Sequence, residues 1–311
     1  MTRLPHSLRR PLFRLRLALQ PVVEVLVGGY VRFSIWWLRL WPLWLSAGGM
    51  AFWARTFGPF FAVSKVARRN LTAAYPEKSK AEIDALMRGV WANMGRLAAE
   101  FAQQDRLWDY DPAKPGEGRV EVVGAEIFQR LRDDGRPALF FTAHTGNWEM
   151  CAIAGAKFDV PGGVLYRAPN NRRAAALIEE MRAGTMPGLI RASRDAGRQM
   201  ARMLAEGQHL GMLIDQYWTG GPEVTFFGRP CATNPTLARL ARQFDCPVHG
   251  MRVVRLPGAR FRVEITEEIA LPRDDEGRID VVGTMQAVTT VIEGWVREYP
   301  DQWLWLHRRW R

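Results

Sequence analysis

From residue 81 to 104, apolar side chains recur at intervals of three and four, at Ile83, Leu86, Val90, Met94, Leu97 and Phe101. That period predicts one amphipathic helix. A joint rich in Pro, Gly and charge follows at 105–118, and beyond it the pattern changes. Short apolar runs at 120–123, 138–143, 164–167, 210–215 and 248–256 alternate with helical stretches at 126–133, 170–182, 194–205 and 235–244. Alternation of this kind predicts an α/β fold, a largely parallel sheet with helices on both faces. Residues 260–266 alternate strictly between apolar and polar, as expected of a strand antiparallel to the one before it, and 281–299 reads as a closing helix. The joint divides the chain into an expected N-terminal helical, membrane-associated region, 1–112, and an α/β domain, 113–311. No internal repeat or low-complexity segment interrupts either part.

Two further apolar stretches, 17–31 and 40–54, precede these elements. Glu24 breaks the first, and Pro42, Gly48 and Gly49 break the second, so both fall short of the roughly 20 uninterrupted apolar residues of a clean membrane span. Five arginines in the first sixteen residues give a superficial likeness to a signal peptide, but no small-residue cleavage site follows. Basic residues flank both stretches, which suits an interfacial or re-entrant anchor with both ends in the cytoplasm. The plainer alternative is that these helices only pad the α/β domain.

Composition narrows the partners. Over 311 residues, Lys+Arg 43 against Asp+Glu 32 gives a net charge of +11, with arginine far outnumbering lysine. Nucleic acid, anionic lipid and an acidic carrier protein all suit that balance. Thirteen tryptophans, crowded into 36–53 and 295–310, favour a membrane interface, and no nucleic-acid-binding motif is present. Cys151, Cys231 and Cys246 are scattered in apolar settings and read as buried free thiols of a reducing compartment. Neither these cysteines nor the five histidines show metal-ligand spacing, and no glycine-rich phosphate loop occurs, so no cofactor is expected.

The candidate chemistry gathers where apolar runs end. His144 follows the run 138–143, Thr145-Gly146-Asn147 has turn character, and Glu149 falls in the first turn of the next helix. The expectation is that Glu149 holds one ring N–H of His144, leaving the other nitrogen to take a proton from an attacking hydroxyl. Arg167 and Asp215 also stand at strand exits, where open α/β sheets bind ligands. Arg167 suits a lipid phosphate or a developing oxyanion, against a plain surface salt bridge. The Gly146 N–H is a candidate oxyanion donor. Asn147 is either a helix cap or a substrate contact. Asn170, Asn171 and Arg172 are expected to cap the next helix and to lie near a phosphate. Asp215 is expected to position Arg167 or the acceptor, or else to be paired structurally, and His209 and His249 read as structural.

A His-x4-Glu pattern alone is a weak signal, but here it sits in the first of five ordered blocks. Thr142-Ala-His-Thr-Gly-Asn-Trp-Glu149, Tyr166-Arg-Ala-Pro-Asn-Asn171, Leu213-Ile-Asp-Gln216, Phe226-Phe-Gly228 and Gln302-Trp-Leu-Trp305 together resemble the lipid A biosynthesis acyltransferases, the late lauroyl/myristoyl transferases of Gram-negative bacteria. The resemblance runs from about Leu38 to the C-terminus. It implies a glycerolipid-acyltransferase-like fold with His144 and Glu149 as the catalytic pair. It also implies O-acyl transfer to a lipid A precursor from acyl carrier protein, at the cytoplasmic face of the inner membrane. Acyl-CoA as donor and another glycolipid or phospholipid as acceptor stay open. So do a hydrolase using the same pair on water and a non-catalytic membrane-binding protein.

Overall fold

The computed structural model describes the backbone from His6 and the side chains from Leu19 onward, Pro187 excepted. The arginines of the first sixteen residues therefore lie outside the described side chains. Four helices come first: α1 (His6–Arg39), α2 (Leu43–Phe57), α3 (Ser64–Ala74) and α4 (Lys80–Ala102). Within α1, Leu19–Arg39 is long and apolar enough to cross a membrane, judged by length and composition. The start of α4 is fixed by a capping box in which the Ser79 side chain accepts from the Glu82 N–H and the Glu82 carboxylate accepts from the Ser79 N–H. α2 packs against α4 so closely at Gly95 that a Cβ there would collide with the Met50 carbonyl.

The strands and helices of the α/β part follow in order: β1 (Val120–Val123), α5 (Ala125–Asp133), β2 (Leu139–Thr142), α6 (Glu149–Lys157), β3 (Gly162–Tyr166), α7 (Arg172–Ala183), β4 (Gly188–Arg191), α8 (Ala196–Ala205), β5 (His209–Leu213), β6 (Glu223–Phe226), β7 (Arg229–Ala232), α9 (Thr236–Phe244), β8 (Val248–Leu256), β9 (Arg260–Glu268) and α10 (Val281–Glu298). Seven strands form one sheet in the order β1-β9-β8-β2-β5-β3-β4, and β6 and β7 form a separate hairpin. β8, β2, β5, β3 and β4 run parallel, while β9 pairs antiparallel to β8 and parallel to β1. The expected α/β class and the antiparallel strand after β8 are therefore present.

Alternating side chains of β2 feed two cores. Leu139 and Phe141 pack with α9, α10 and the chain end, whereas Phe140 packs with α5, α6 and the inner residues Phe261, Val263 and Ile265 of β9. The tryptophans separate by position in the same way. Trp36, Trp44 and Trp53 are exposed on α1 and α2, but Trp303, Trp305 and Trp310 are buried against Phe226 and Phe227. The C-terminal tryptophans, counted above among those favouring a membrane interface, are core at 303, 305 and 310. Arg309 among them is buried too and donates to the Gln216 and Ala232 carbonyls.

Candidate active site

Sheet register brings the first two site residues together. Thr142 pairs with Leu213 across β2 and β5. His144 and Asp215, each two residues further on, therefore meet beyond the carboxyl ends of the strands. His144 Nδ1 lies 2.7 Å from Asp215 Oδ1, and the His144 backbone N–H donates to Oδ2 at 2.8 Å. The Trp303 indole N–H donates to the same Oδ2 at 2.7 Å. Burial opposes ionisation of Asp215, but the His144 ring, the His144 N–H and the Trp303 indole outweigh it and bring the carboxyl down to about 2. An ionised Asp215 keeps the proton on Nδ1 and leaves Nε2 as the basic nitrogen. The Gln216 side-chain amide sits 3.3 Å from that Nε2, and the Trp148 ring packs edge-on to the imidazole with centroids 4.9 Å apart.

The expected bond between Glu149 and His144 is not formed. Glu149 opens α6 and accepts from Arg182 Nε at 2.9 Å, from Arg182 Nη2 at 2.6 Å and from the Trp148 indole at 3.1 Å. The reason is electrostatic. With its side chain only 8% exposed, the Glu149 carboxylate needs a cation, and the guanidinium at the far end of α7 supplies a two-pronged partner. The Arg182 guanidinium also lies over the rings of Phe101 and Tyr166. Asp215, expected to hold Arg167 or the acceptor, occupies the place beside His144 instead.

Gly146 shapes the loop between β2 and α6. Its φ of +56° is left-handed, and a Cβ there would collide with the Val253 carbonyl, so the position demands glycine. Its N–H donates to the Gln302 carbonyl at 2.9 Å, which removes it as an oxyanion donor. The His144 carbonyl accepts from the Leu304 N–H at 3.0 Å, so the chain end braces both sides of the histidine. Asn147 is fully buried and donates to Glu100 of α4 at 2.9 Å, and Glu100 is in turn paired with Arg255. Its side chain thus ties the loop to α4 and does not cap α6.

The remaining expected residues line the edge. Arg167 is exposed just beyond β3, Asn170 is exposed, and Arg172 is exposed at the start of α7. Asn171 caps α7 by accepting from the Ala174 N–H at 2.9 Å. His209 and His249 are buried and bonded to backbone, His209 through Ala138 and Leu131 and His249 through Thr266. Trp303, Gln216, Arg182 and Glu100 were not singled out from sequence. Trp303 and Gln216 fall inside quoted motif blocks, whereas no spacing rule connects Arg182 to Glu149.

Beside this edge a narrow apolar slot of about 100 Å³ runs between the sheet and α6. Phe140, Thr142, Trp148, Glu149, Gly155 and Gly211 are among its walls. Trp148 is shared, since its ring touches His144 as well. Cys151 also lines the slot, with its thiol pushed up to about 12 by burial, which denies it a nucleophile's role.

The sequence profile of the bacterial lipid A biosynthesis acyltransferases matches residues 26–311. The chain belongs to that family. It is an acyltransferase of lipid A biosynthesis, and the match begins within α1 and covers every element that builds the site. Two relatives are each 26% identical over 292 residues, covering 86% of this chain and 86% of the relative: the lipid A biosynthesis myristoyltransferase of Escherichia coli strain K12 and lipid A biosynthesis acyltransferase 1 of Shigella flexneri.

Proposed function

We propose that the enzyme transfers a fatty acyl group from an acyl thioester, carried by acyl carrier protein, to a hydroxyl of a lipid A precursor. The observation that carries this reading is the His144 imidazole held by buried Asp215 through Nδ1, with Nε2 directed to Gln216 and with Trp148 shared between the imidazole and an apolar slot. The acyl chain lies in the slot. The acceptor hydroxyl takes Gln216's place at Nε2, gives up its proton there and attacks the thioester carbon. As the new C–O bond forms and the C–S bond breaks, the imidazolium returns the proton to the departing thiolate. Asp215 stabilises the imidazolium.

Glu149 and Arg182 act together at the rim, where their pairing fixes Trp148 between slot and imidazole. The oxyanion is met by Arg167 and by the N–H of Trp148 where α6 begins. Arg167 and Arg191 extend a positive edge from His144 across β3 and β4, which suits an acidic carrier, as does the net charge of +11. The outward apolar faces of α1 and α2 seat the enzyme on the cytoplasmic face of the inner membrane, with 1–112 as the membrane-associated region and 113–311 as the catalytic domain.

The test is transfer of a radiolabelled acyl group from carrier protein to purified lipid A precursor. Label is expected on the lipid, and His144→Ala is expected to reduce it by about 10²- to 10⁴-fold while the protein stays folded. Label recovered as free fatty acid with acceptor present would make the enzyme a hydrolase. Near-normal transfer by His144→Ala would remove the proposed base.

A further inference from the structure

A second cavity lies away from the acyl slot, between α1 and α7. It is a groove of about 520 Å³, and its walls include Gly28, Gly29 and Arg32 from α1 and Arg173 and Glu180 from α7. α1 approaches α7 because Gly28 has no side chain; a Cβ there would lie 2.6 Å from the Arg173 Cβ. Asn171 adds a tie by donating to the Glu24 carbonyl at 3.4 Å. At Gly29 a Cβ would meet nothing within 4 Å, so the groove is open there.

The groove's charge is unbalanced. Arg32 and Arg173 are both exposed, and among the described residues neither forms an ion pair, while Glu180 is the one acid in the walls. No acid occurs in residues 1–18, so the start of the chain supplies no counter-charge. Depth points to the same ligand. Trp36, 53% exposed, follows Arg32 by four residues, roughly 6 Å along the helix, and Leu26, Tyr30 and Phe33 are exposed on the same helix. Exposed indoles seek the headgroup level, so Arg32 stands near the depth of lipid phosphates. At the other end of α7, about 13–14 Å from Arg173, Arg182 lines the acyl slot.

We propose that this groove binds the phosphate of an anionic lipid, Arg32 and Arg173 taking the phosphate oxygens while the lipid's chains lie along the outward apolar side of α1. This rests on the reading above in one respect, that the enzyme works on a lipid at a membrane surface. The phosphate belongs either to the glycolipid acceptor or to a neighbouring phospholipid, and the two sources separate experimentally.

The test is calorimetric titration of the full-length enzyme in neutral detergent micelles with short-chain phosphatidic acid and, separately, with inorganic phosphate. Phosphatidic acid is expected to bind, and the double variant Arg32→Ala/Arg173→Ala to weaken it at least tenfold. Gly29→Leu keeps every charge and favours the helix, yet fills the groove, and is expected to weaken binding comparably. Arg198→Ala, which removes an exposed arginine elsewhere, is expected to change nothing. Wild-type affinity in the double variant or in Gly29→Leu overturns the proposal, and so does inorganic phosphate binding as tightly as the lipid.

Transfer kinetics then identify the source. A rise in the acceptor's KM at constant kcat in Gly29→Leu assigns the groove to the acceptor's phosphate; an unchanged KM with weakened phosphatidic acid binding assigns it to a phospholipid. If the wild-type enzyme transfers nothing to a glycolipid, the function proposed above fails, and the titrations still decide the groove.

Discussion

In the proposed mechanism His144 takes its reactivity from a neighbour 71 positions away in sequence. Asp215 makes three short contacts, to the ring and main chain of His144 and to the indole of Trp303, and each favours the carboxylate form. Asp215→Asn keeps the volume and removes the charge. The new amide can donate to Nδ1, which moves the ring proton to Nε2 and leaves no base facing the hydroxyl. The expected loss in kcat is roughly 10²- to 10⁴-fold with the fold retained, measured by labelled acyl transfer alongside near-ultraviolet circular dichroism. Cys151→Ala serves as the contrast. Its thiol is held protonated by burial and faces the slot wall, so turnover is expected to stay within a few-fold of normal. A folded but inactive Cys151→Ala enzyme would point to a thiol intermediate.

Among the elements, α6 and α7 set both the rim and the width of the slot. The Glu149–Arg182 pair bridges them almost out of water, so removing one partner strands a buried charge. Glu149→Gln and Arg182→Met are each expected to destabilise the enzyme by about 3–5 kcal/mol, and the double variant by less than the sum. Chemical denaturation of the four proteins checks this, and strict additivity would mean that the two side chains do not depend on each other. Gly155 of α6 faces the slot, and a Cβ there would meet nothing within 4 Å. Gly155→Leu favours the helix and occupies slot space. The preferred donor is expected to become shorter by several carbons, read from competing acyl chain lengths by mass spectrometry of the product. An unchanged preference would place the acyl chain elsewhere.

The limits of these elements were legible because period and turn residues are local properties. β1, β8 and α9 fall within a residue or so of where the pattern put them, and β9 alternates as expected. Strand order is not local. β2 lies between β5 and β8, so the meeting of His144 and Asp215 depends on a pairing that no window around either residue contains. A carboxylate five positions from His144 was therefore the nearer candidate, although Arg182, 33 residues beyond it, was its partner. The four-residue edge strand β4 was too short for its period to show.

At the scale of the whole molecule, the aromatic surface is divided by what covers it. Trp303, Trp305 and Trp310 are enclosed by the hairpin of β6 and β7 and by the chain end, whereas Trp36, Trp44 and Phe52 stand uncovered on α1 and α2. Phe52 is 71% exposed and Trp44 68%, values a soluble surface seldom carries in such density. Removing residues 1–60 would be a poor test of anchoring, because α2 buries Leu43, Ala47, Ala51 and Ala54 and its loss would bare α4. Substituting the uncovered rings leaves that contact intact. Moving about 100 Å² of each ring from water into the interface gains roughly 2.5 kcal/mol. The triple variant Trp36→Ser/Trp44→Ser/Phe52→Ser is therefore expected to shift from the membrane pellet to the supernatant with an unchanged melting temperature. Its transfer activity should fall on vesicle-borne acceptor and persist on acceptor dispersed in detergent. Retention in the pellet at low salt and release at high salt would show that the arginine-rich surface, not the aromatic face, holds the enzyme to lipid, since the screening length falls from about 10 Å at 0.1 M to about 3 Å at 1 M.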